Sequence, residues 1–128
     1  MKWSLTILLL AIAAVSSYGQ GRYGPTPEDS ARCIARLSLF LEYEKKQELK
    51  NAYDAWKELT AMCPAVRDDI FSRGRRLLHQ MIDVETKVRA RSRLLQELDD
   101  LYELWKQRDG DIEELRRSRR EDREKYGG

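Results

Sequence analysis

Apolar residues recur at steps of three and four along two neighbouring segments of the chain, and a polar stretch separates them. The first segment carries Ile34, Leu37, Phe40, Leu41 and Tyr43. The second carries Leu49, Ala52, Tyr53, Trp56, Leu59 and Cys63. This spacing is the period of one helix face. The separating EKKQE stretch is too short for a third element, so the pattern predicts helices near residues 27–46 and 48–62 that fold into an antiparallel hairpin.

Two further amphipathic patterns follow, and they predict helices near residues 65–83 and 85–108. We expect Pro64 to begin the third helix, whose apolar face is formed by Val66, Ile70, Gly74, Leu77, Met81 and Ile82. The fourth helix has its apolar face at Val88, Leu95, Leu98, Tyr102 and Trp105. The Asp-Gly-Asp sequence at 109–111 is a turn signal that ends this helix. No segment alternates β-branched residues, so the chain is predicted to be all-α.

Residues 109–128 form a charged tail with almost no apolar content. One interpretation is a basic tail that binds RNA or lipid, because five arginines lie between residues 116 and 123. The other is a solvated helix held by charge pairs three and four positions apart. Acidic residues balance the arginines, which favours the second interpretation. Because the tail lacks an apolar face, we expect it to be helical or frayed.

The N-terminal 19 residues have the layout of a cleavable secretory signal. Lys2 gives a short positive start, an apolar core runs to Val15, and small residues precede a cut before Gln20. The alternative is a membrane anchor, but the apolar run is shorter than the roughly 20 residues that a span needs. Residues 20–26 form a linker rich in helix breakers. Thr26 before Pro27 is predicted to cap the first helix.

Charge and chemistry narrow the function. Charged residues make up 36% of the chain, yet the net charge is only +2, which argues against a dedicated nucleic-acid binder. His79 is the only histidine, and we expect it to be a partly exposed residue on a helix flank. The two cysteines lack the close spacing of metal ligands. The sequence contains no phosphate loop or nucleophile motif, so we predict a non-enzymatic protein without a metal or cofactor.

Cys33 and Cys63 are predicted to form a disulfide. A secretory signal directs the chain to a compartment where disulfides persist, and with two cysteines only one intramolecular pairing exists. In an antiparallel hairpin, the start of one helix lies beside the end of the next, and neighbouring helices bring facing Cα atoms within disulfide range. The alternative is two buried free thiols, which are common in helical cores.

The hairpin spacing matches part of the tetratricopeptide repeat, a helix–turn–helix unit of about 34 residues. The matching positions are Leu39, Tyr43, Ala52, Trp56 and Pro64. Arg36 replaces the tryptophan of the pattern, Phe40 replaces a glycine that allows close helix approach, and Leu59 replaces a small residue. A generic helical hairpin is the alternative. By analogy with the repeat, Arg36 and Tyr43 are candidates for a partner surface, although Tyr43 also suits the core.

The order of Asp-Ser, Cys33, a Ser-Leu-Phe run, Tyr53, Trp56, Cys63-Pro64 and Gly74 resembles the N-terminal part of exported tetratricopeptide-like proteins of Bacteroidetes. The resemblance covers about residues 27–108 and implies a periplasmic scaffold that binds a protein or peptide partner in the cell envelope. The alternative function is a periplasmic coiled-coil or chaperone-like structural protein. After signal cleavage we expect no membrane span.

Overall fold

The computed structural model describes residues 23–127, which form five α-helices and contain no β-strand. The helices are α1 (Pro27–Lys45), α2 (Leu49–Met62), α3 (Ile70–Val84), α4 (Val88–Asp109) and α5 (Glu113–Tyr126). They divide into two compact units, the first ending at Asp68 and the second beginning at Asp69. The predicted all-α class is confirmed. The predicted signal segment 1–19 and linker residues 20–22 lie outside the described residues.

Thr26 caps α1 as its sequence context predicts. The hydroxyl oxygen of Thr26 accepts a hydrogen bond from the backbone N–H of Asp29 at 3.0 Å, and Pro27 follows in the first turn. This contact satisfies one of the N–H groups that a helix start leaves without a partner. Glu28 and Asp29 add negative charge at the positive end of the helix. These local features fix where α1 begins.

Helices α1 and α2 form the predicted hairpin of the first unit. The connection turns at Gln47, whose φ of 59° lies in the left-handed region, and the N–H of Glu48 donates to the carbonyl of Tyr43 at 3.0 Å. A disulfide between Cys33 and Cys63 joins the first part of α1 to the residue after α2, so the helices are antiparallel. The buried apolar residues of this unit are Cys33, Phe40, Ala52, Tyr53, Ala55, Trp56, Leu59, Cys63 and Val66.

The apolar face of α1 is narrower than the sequence predicts. Ile34 keeps 47% of its surface exposed, and Leu37, Leu41 and Tyr43 are only half-buried. Ile34 lies about 100° around the helix from Cys33. A side chain that far from the contact line with α2 stays in water, so the buried face of α1 does not include Ile34.

Helix α3 begins at Ile70, five residues later than predicted, because Pro64 opens a turn instead of a helix. The N–H of Val66 donates to the carbonyl of Cys63 at 3.1 Å, and that single turn is not continued. Val66 is buried within this turn region rather than on a helix face. This turn buries the side chain of Val66 and lets Cys63 bond to Cys33. We infer that these two contacts outweigh the preference of proline for a first helical turn.

The second unit consists of α3, α4 and α5. The connection between α3 and α4 is short, so these helices turn back on each other. Phe71 near the start of α3 stacks on Trp105 near the end of α4, with ring centroids 6.0 Å apart. The predicted core residues of α4 at Leu98, Tyr102 and Trp105 are buried. The buried apolar residues of this unit are Ile70, Phe71, Leu77, Leu78, Ile82, Leu98, Leu101, Tyr102, Trp105 and Leu115.

The charged tail forms an ordered helix with a buried face. Helix α4 ends at Asp109 before Gly110, whose φ of 77° suits glycine, so the predicted turn is confirmed. Helix α5 then buries Leu115, Ser118 and Asp122, which follow one another at steps of three and four. The expectation that the tail lacks a buried face is therefore wrong. The apolar pattern did not reveal this face because two of its three buried residues, Ser118 and Asp122, are polar.

Within residues 23–127, none of the helices is long and apolar enough to cross a membrane.

Candidate functional site

The disulfide closes the hairpin at the end opposite its turn. The Cα atoms of Cys33 and Cys63 are 6.3 Å apart, and both side chains are buried. This distance lies within the range of protein disulfides. The predicted geometry of the pair is therefore confirmed. The bond fixes the ends of α1 and α2 relative to each other, which makes the hairpin a rigid support for the side chains on its surface.

The two candidate partner residues share a face of α1. Arg36 and Tyr43 are seven positions apart, and Leu39 lies between them on the same side of the helix. Leu39 is 37% exposed, and Tyr43 is half-buried. The guanidinium of Arg36 forms an ion pair of 3.1 Å with Glu58 of α2, and both side chains are about half-exposed. We call the surface formed by Arg36, Leu39 and Tyr43 the α1 face.

The second unit contains a cluster of polar residues around a buried carboxylate. Asp122 on α5 is only 5% exposed. Arg75 on α3 donates two hydrogen bonds to it, from Nε to Oδ2 at 3.0 Å and from Nη2 to Oδ1 at 2.8 Å. The hydroxyl of Tyr102 on α4 donates a third hydrogen bond to Oδ2. One carboxylate therefore connects all three helices of the unit. We call Arg75, His79, Tyr102 and Asp122 the Asp122 cluster.

His79 completes the cluster through a close contact with the carboxylate. Its Nε2 lies 2.8 Å from Oδ1 of Asp122, which is within ion-pair range when the ring is protonated. The Nε2 atom is enclosed by protein and meets the geometric criteria of a hydrogen bond with none of the described atoms. The ring of Tyr126 meets the imidazole edge-on, with centroids 5.5 Å apart. The sequence predicts a partly exposed His79 on a helix flank, and its side chain is partly exposed.

The environment of the cluster holds Asp122 ionised and Tyr102 protonated. Burial alone would raise the pKa of Asp122, but the contacts with His79, Arg75 and Tyr102 together hold that pKa well below its usual range. Burial raises the pKa of Tyr102, and its hydrogen bond to Asp122 raises it further. The hydrogen bond to Asp122 also raises the pKa of Arg75. These directions match a closed set of charge-assisted hydrogen bonds.

Such a cluster is suited to structure and not to proton transfer. A general base needs a pKa near the working pH, and the pKa of Asp122 is moved away from neutrality. A tyrosine with a raised pKa is equally unsuited to give up its proton near neutral pH. The Nε and Nη2 groups of Arg75 both donate hydrogen bonds to Asp122. We therefore interpret the cluster as a structural hydrogen-bond network that positions α5 against α3 and α4.

An open groove of about 420 Å³ runs beside the cluster between α4 and α5. Two of its four charged lining residues, Asp99 and Arg119, pair with each other, and Asp122 pairs with Arg75 outside the groove. Arg119 bonds to Asp99 at 2.8 Å and to Glu103 at 3.0 Å, and its guanidinium stacks over the ring of Tyr102 at 5.6 Å. Within residues 23–127, no three histidine, cysteine or acidic side chains are arranged to hold a metal ion.

The sequence patterns did not predict the Asp122 cluster. Arg75, Tyr102 and Asp122 lie on three different helices, and 47 positions separate Arg75 from Asp122. The one available signal was the spacing of Leu115, Ser118 and Asp122, which places them on one face of α5. A periodicity search that counts only apolar residues does not register a face with one leucine.

No protein-family model, curated protein sequence or solved structure matches this chain.

Proposed function

We propose that this chain is an exported, non-enzymatic scaffold that binds a protein partner in the cell envelope through a tetratricopeptide-like helix pair. The binding surface is the α1 face, and the partner is a peptide or helix with an apolar anchor and a neighbouring carboxylate. The observation that carries the proposal is the spacing of Arg36, Leu39 and Tyr43. Steps of three and four residues along one helix are a recurring arrangement of anchors in helix-mediated recognition.

The charge on this surface is available for exchange. Arg36 pairs with Glu58 across the hairpin, but exposed pairs of this kind contribute only about 0–1 kcal/mol. A carboxylate of the partner can therefore replace Glu58 at little cost. Leu39 offers apolar area beside the guanidinium, and an apolar residue next to an arginine is typical of interface centres. This combination supports recognition of a mixed apolar and acidic segment.

Two observations support export to an oxidising compartment. The disulfide pair lies in a geometry that proteins use outside the reducing cytosol. Residues 1–19 have the sequence layout of a secretory signal. The tetratricopeptide-like part of the proposal depends on the positions of Ala52 and Trp56, which are buried on α2 as the repeat requires. Phe40 is buried where the repeat has glycine, so the pair would be a variant of that repeat.

The alternative of a coiled-coil or chaperone-like protein, with α4 and the tail as its working arm, has less support. Gly110 ends α4, and α5 is tied to α3 and α4 through Asp122. An arm would need α4 and the tail to continue as one helix with a sustained apolar repeat. We therefore retain the scaffold as the proposed function.

The test is a pull-down from an envelope fraction with residues 20–128 as bait, followed by affinity measurement with the purified partner. We expect Arg36→Glu and Leu39→Ser each to reduce the affinity at least tenfold, because single central contacts are often worth more than 1 kcal/mol. Two variants on other sides of α1 serve as matched controls. Lys45→Glu makes the same charge change about 180° from Arg36, and Ile34→Ser makes a similar apolar loss about 140° from Leu39.

The four variants distinguish specific binding at the α1 face from nonspecific capture of proteins by the bait. Loss with the α1-face variants and retention with Lys45→Glu and Ile34→Ser would support the proposal. Equal recovery of the partner by wild type and by Arg36→Glu would reject this surface. Equal loss with all four variants would show that the bait captures proteins through its exposed residues in general.

A further inference from the structure

Two exposed valines flank the connection between α3 and α4. Val84, the last residue of α3, is 72% exposed, and Val88, the first residue of α4, is 82% exposed. Val88 belongs to the predicted apolar face of α4, so its exposure differs from the sequence expectation. A single exposed valine is ordinary on a protein surface. Two of them on either side of a three-residue connection make an apolar tip.

Four basic residues lie within the tip and the first two turns of α4 that follow it. Lys87, Arg89, Arg91 and Arg93 are all exposed, and none of them forms an ion pair with any residue from 23 to 127. The nearby acidic groups are used otherwise. Glu85 accepts a hydrogen bond from the backbone N–H of Lys87 at 3.0 Å. Asp83 bonds to Lys125 and Tyr126 of α5. We call residues 84–93 the basic tip.

The position of these cations is unfavourable for the helix that carries them. A helix N-terminus carries positive partial charge, so acidic residues stabilise its first turn and basic residues do not. Helix α1 follows this rule with Glu28 and Asp29, and α5 follows it with Glu113 and Glu114. Helix α4, like α2 and α3, has no acidic residue in its first turn. The basic residues therefore serve neither the helix nor an internal ion pair, and their charge is free for an external anion.

We propose that the basic tip docks on an anionic lipid surface. The valines enter the boundary between headgroups and acyl chains, and the lysine and arginines contact the anionic headgroups. Charge complementarity requires an anionic partner, and the valines select lipid over nucleic acid. A phosphate backbone offers no apolar site for two aliphatic side chains, and residues 84–93 contain no aromatic ring on which a base could stack. This inference is independent of the α1 face.

The test is partitioning of residues 20–128 onto vesicles, which omits the apolar segment 1–19. Vesicles of phosphatidylcholine alone are compared with vesicles that also contain phosphatidylglycerol. We expect binding only to the anionic vesicles, and we expect it to weaken as salt is added. Each basic residue near such a surface contributes about fivefold to the partition coefficient. The triple variant Arg89→Gln, Arg91→Gln, Arg93→Gln should therefore bind on the order of a hundredfold more weakly.

Matched variants separate a local patch from overall charge. Arg32→Gln, Arg117→Gln, Arg120→Gln removes the same charge from exposed positions elsewhere and should change binding by less than about fivefold. Val84→Ser with Val88→Ser keeps the charge and should weaken binding about tenfold by removing apolar burial. Ile34→Ser with Leu39→Ser is the control for the loss of exposed apolar area. All of these positions are exposed, and circular dichroism verifies that each variant remains folded.

Four results would overturn the proposal. Equal binding to neutral and anionic vesicles would exclude headgroup recognition. Equal weakening by the two arginine triples would show attraction by overall charge rather than docking of the tip. A labelled single-stranded RNA that binds through the same arginines, and that anionic vesicles do not displace, would assign the tip to nucleic acid. Unchanged binding by the valine variant would likewise exclude insertion.

Discussion

The hydroxyl of Tyr102 on α4 donates a hydrogen bond to the carboxylate of Asp122 on α5, twenty positions further along the chain. The same carboxylate receives the two-pronged hydrogen bonds of Arg75 from α3. Leu115 is the one buried apolar residue of α5, so hydrophobic burial contributes little to holding this helix. We infer that the carboxylate of Asp122 is the main determinant of where α5 packs.

Replacing Asp122 by alanine should therefore destabilise the second unit. The change leaves the largely buried Arg75 with only its longer, exposed contact to Glu121 at 3.4 Å, and breaking a buried ion pair typically costs about 3–5 kcal/mol. Urea unfolding monitored by circular dichroism measures the loss. Glu124→Ala is the matched control, because Glu124 is an exposed acidic residue of the same helix. Equal unfolding midpoints for Asp122→Ala and Glu124→Ala would contradict the structural role of the cluster.

Tyr102→Phe isolates the phenolic hydrogen bond. The substitution keeps the ring, which packs beside Trp105 and under the guanidinium of Arg119, and removes only the donor. Hydrogen bonds to charged groups contribute about 1.5–3 kcal/mol, and we expect a loss in that range. In a double-mutant cycle with Asp122→Ala, the two losses should be clearly non-additive, because the residues share one bond. Additive losses would mean that the hydroxyl does not act through Asp122.

Stability should decline in acid in a way that depends on Asp122. The contacts of this carboxyl hold its folded-state pKa below the usual value of about 4, so the folded chain keeps it ionised where the unfolded chain protonates it. The resulting stabilisation is fully present above about pH 4 and is lost as the pH falls toward the folded pKa. Urea midpoints between about pH 6 and pH 2 should fall more steeply for wild type than for Asp122→Asn. Parallel profiles would contradict the depressed pKa.

Periodicity was sufficient to predict the helices because each of the first four has an apolar face that follows the helical repeat. The boundaries of α1 and α2 differ from the prediction by one residue at most, since Thr26 and the polar turn mark them locally. The start of α3 was wrong because Pro64 favours a helix start, whereas burial of Val66 and the bond at Cys63 depend on residues distant in sequence. Local signals therefore predict a helix boundary well where the boundary is set locally, and they miss a boundary that is set by contacts between residues distant in sequence.

Local sequence signals also fail to predict the burial of some side chains. Ile34 and Val88 are apolar but exposed, and Asp122 is charged but buried. Hydrophobicity predicts burial only where a neighbouring element covers the face, and neither valine beside the α3–α4 connection is covered. Asp122 is buried because an arginine and a tyrosine on two other helices satisfy its oxygens. Whether a charged residue finds such partners depends on the packing of α3, α4 and α5, which periodicity within one helix does not contain.

Trp56→Ala should destabilise the hairpin. Trp56 is almost completely buried on α2 and stacks on Tyr53 with ring centroids 5.6 Å apart. Truncating a buried tryptophan to alanine typically costs about 3–5 kcal/mol through lost burial and the remaining cavity. Thermal unfolding should show a lower midpoint, whereas Met62→Ala at an exposed position of the same helix should change it little. An unchanged midpoint for Trp56→Ala would contradict its place in the core.

The Cys33–Cys63 disulfide should stabilise the first unit. Closing a loop between residues 30 positions apart should stabilise the hairpin by about 3–4 kcal/mol through the reduced entropy of the unfolded chain. Intact-mass spectrometry after alkylation should find no modified thiol in residues 20–128 without reductant and two after reduction in denaturant. Cys33→Ala with Cys63→Ala should unfold at lower urea than wild type, and reductant should lower the wild-type midpoint toward that of the variant while leaving the variant unchanged. Two alkylated thiols in the unreduced protein would show that the cysteines are free, and the stabilisation would then have to come from their burial alone.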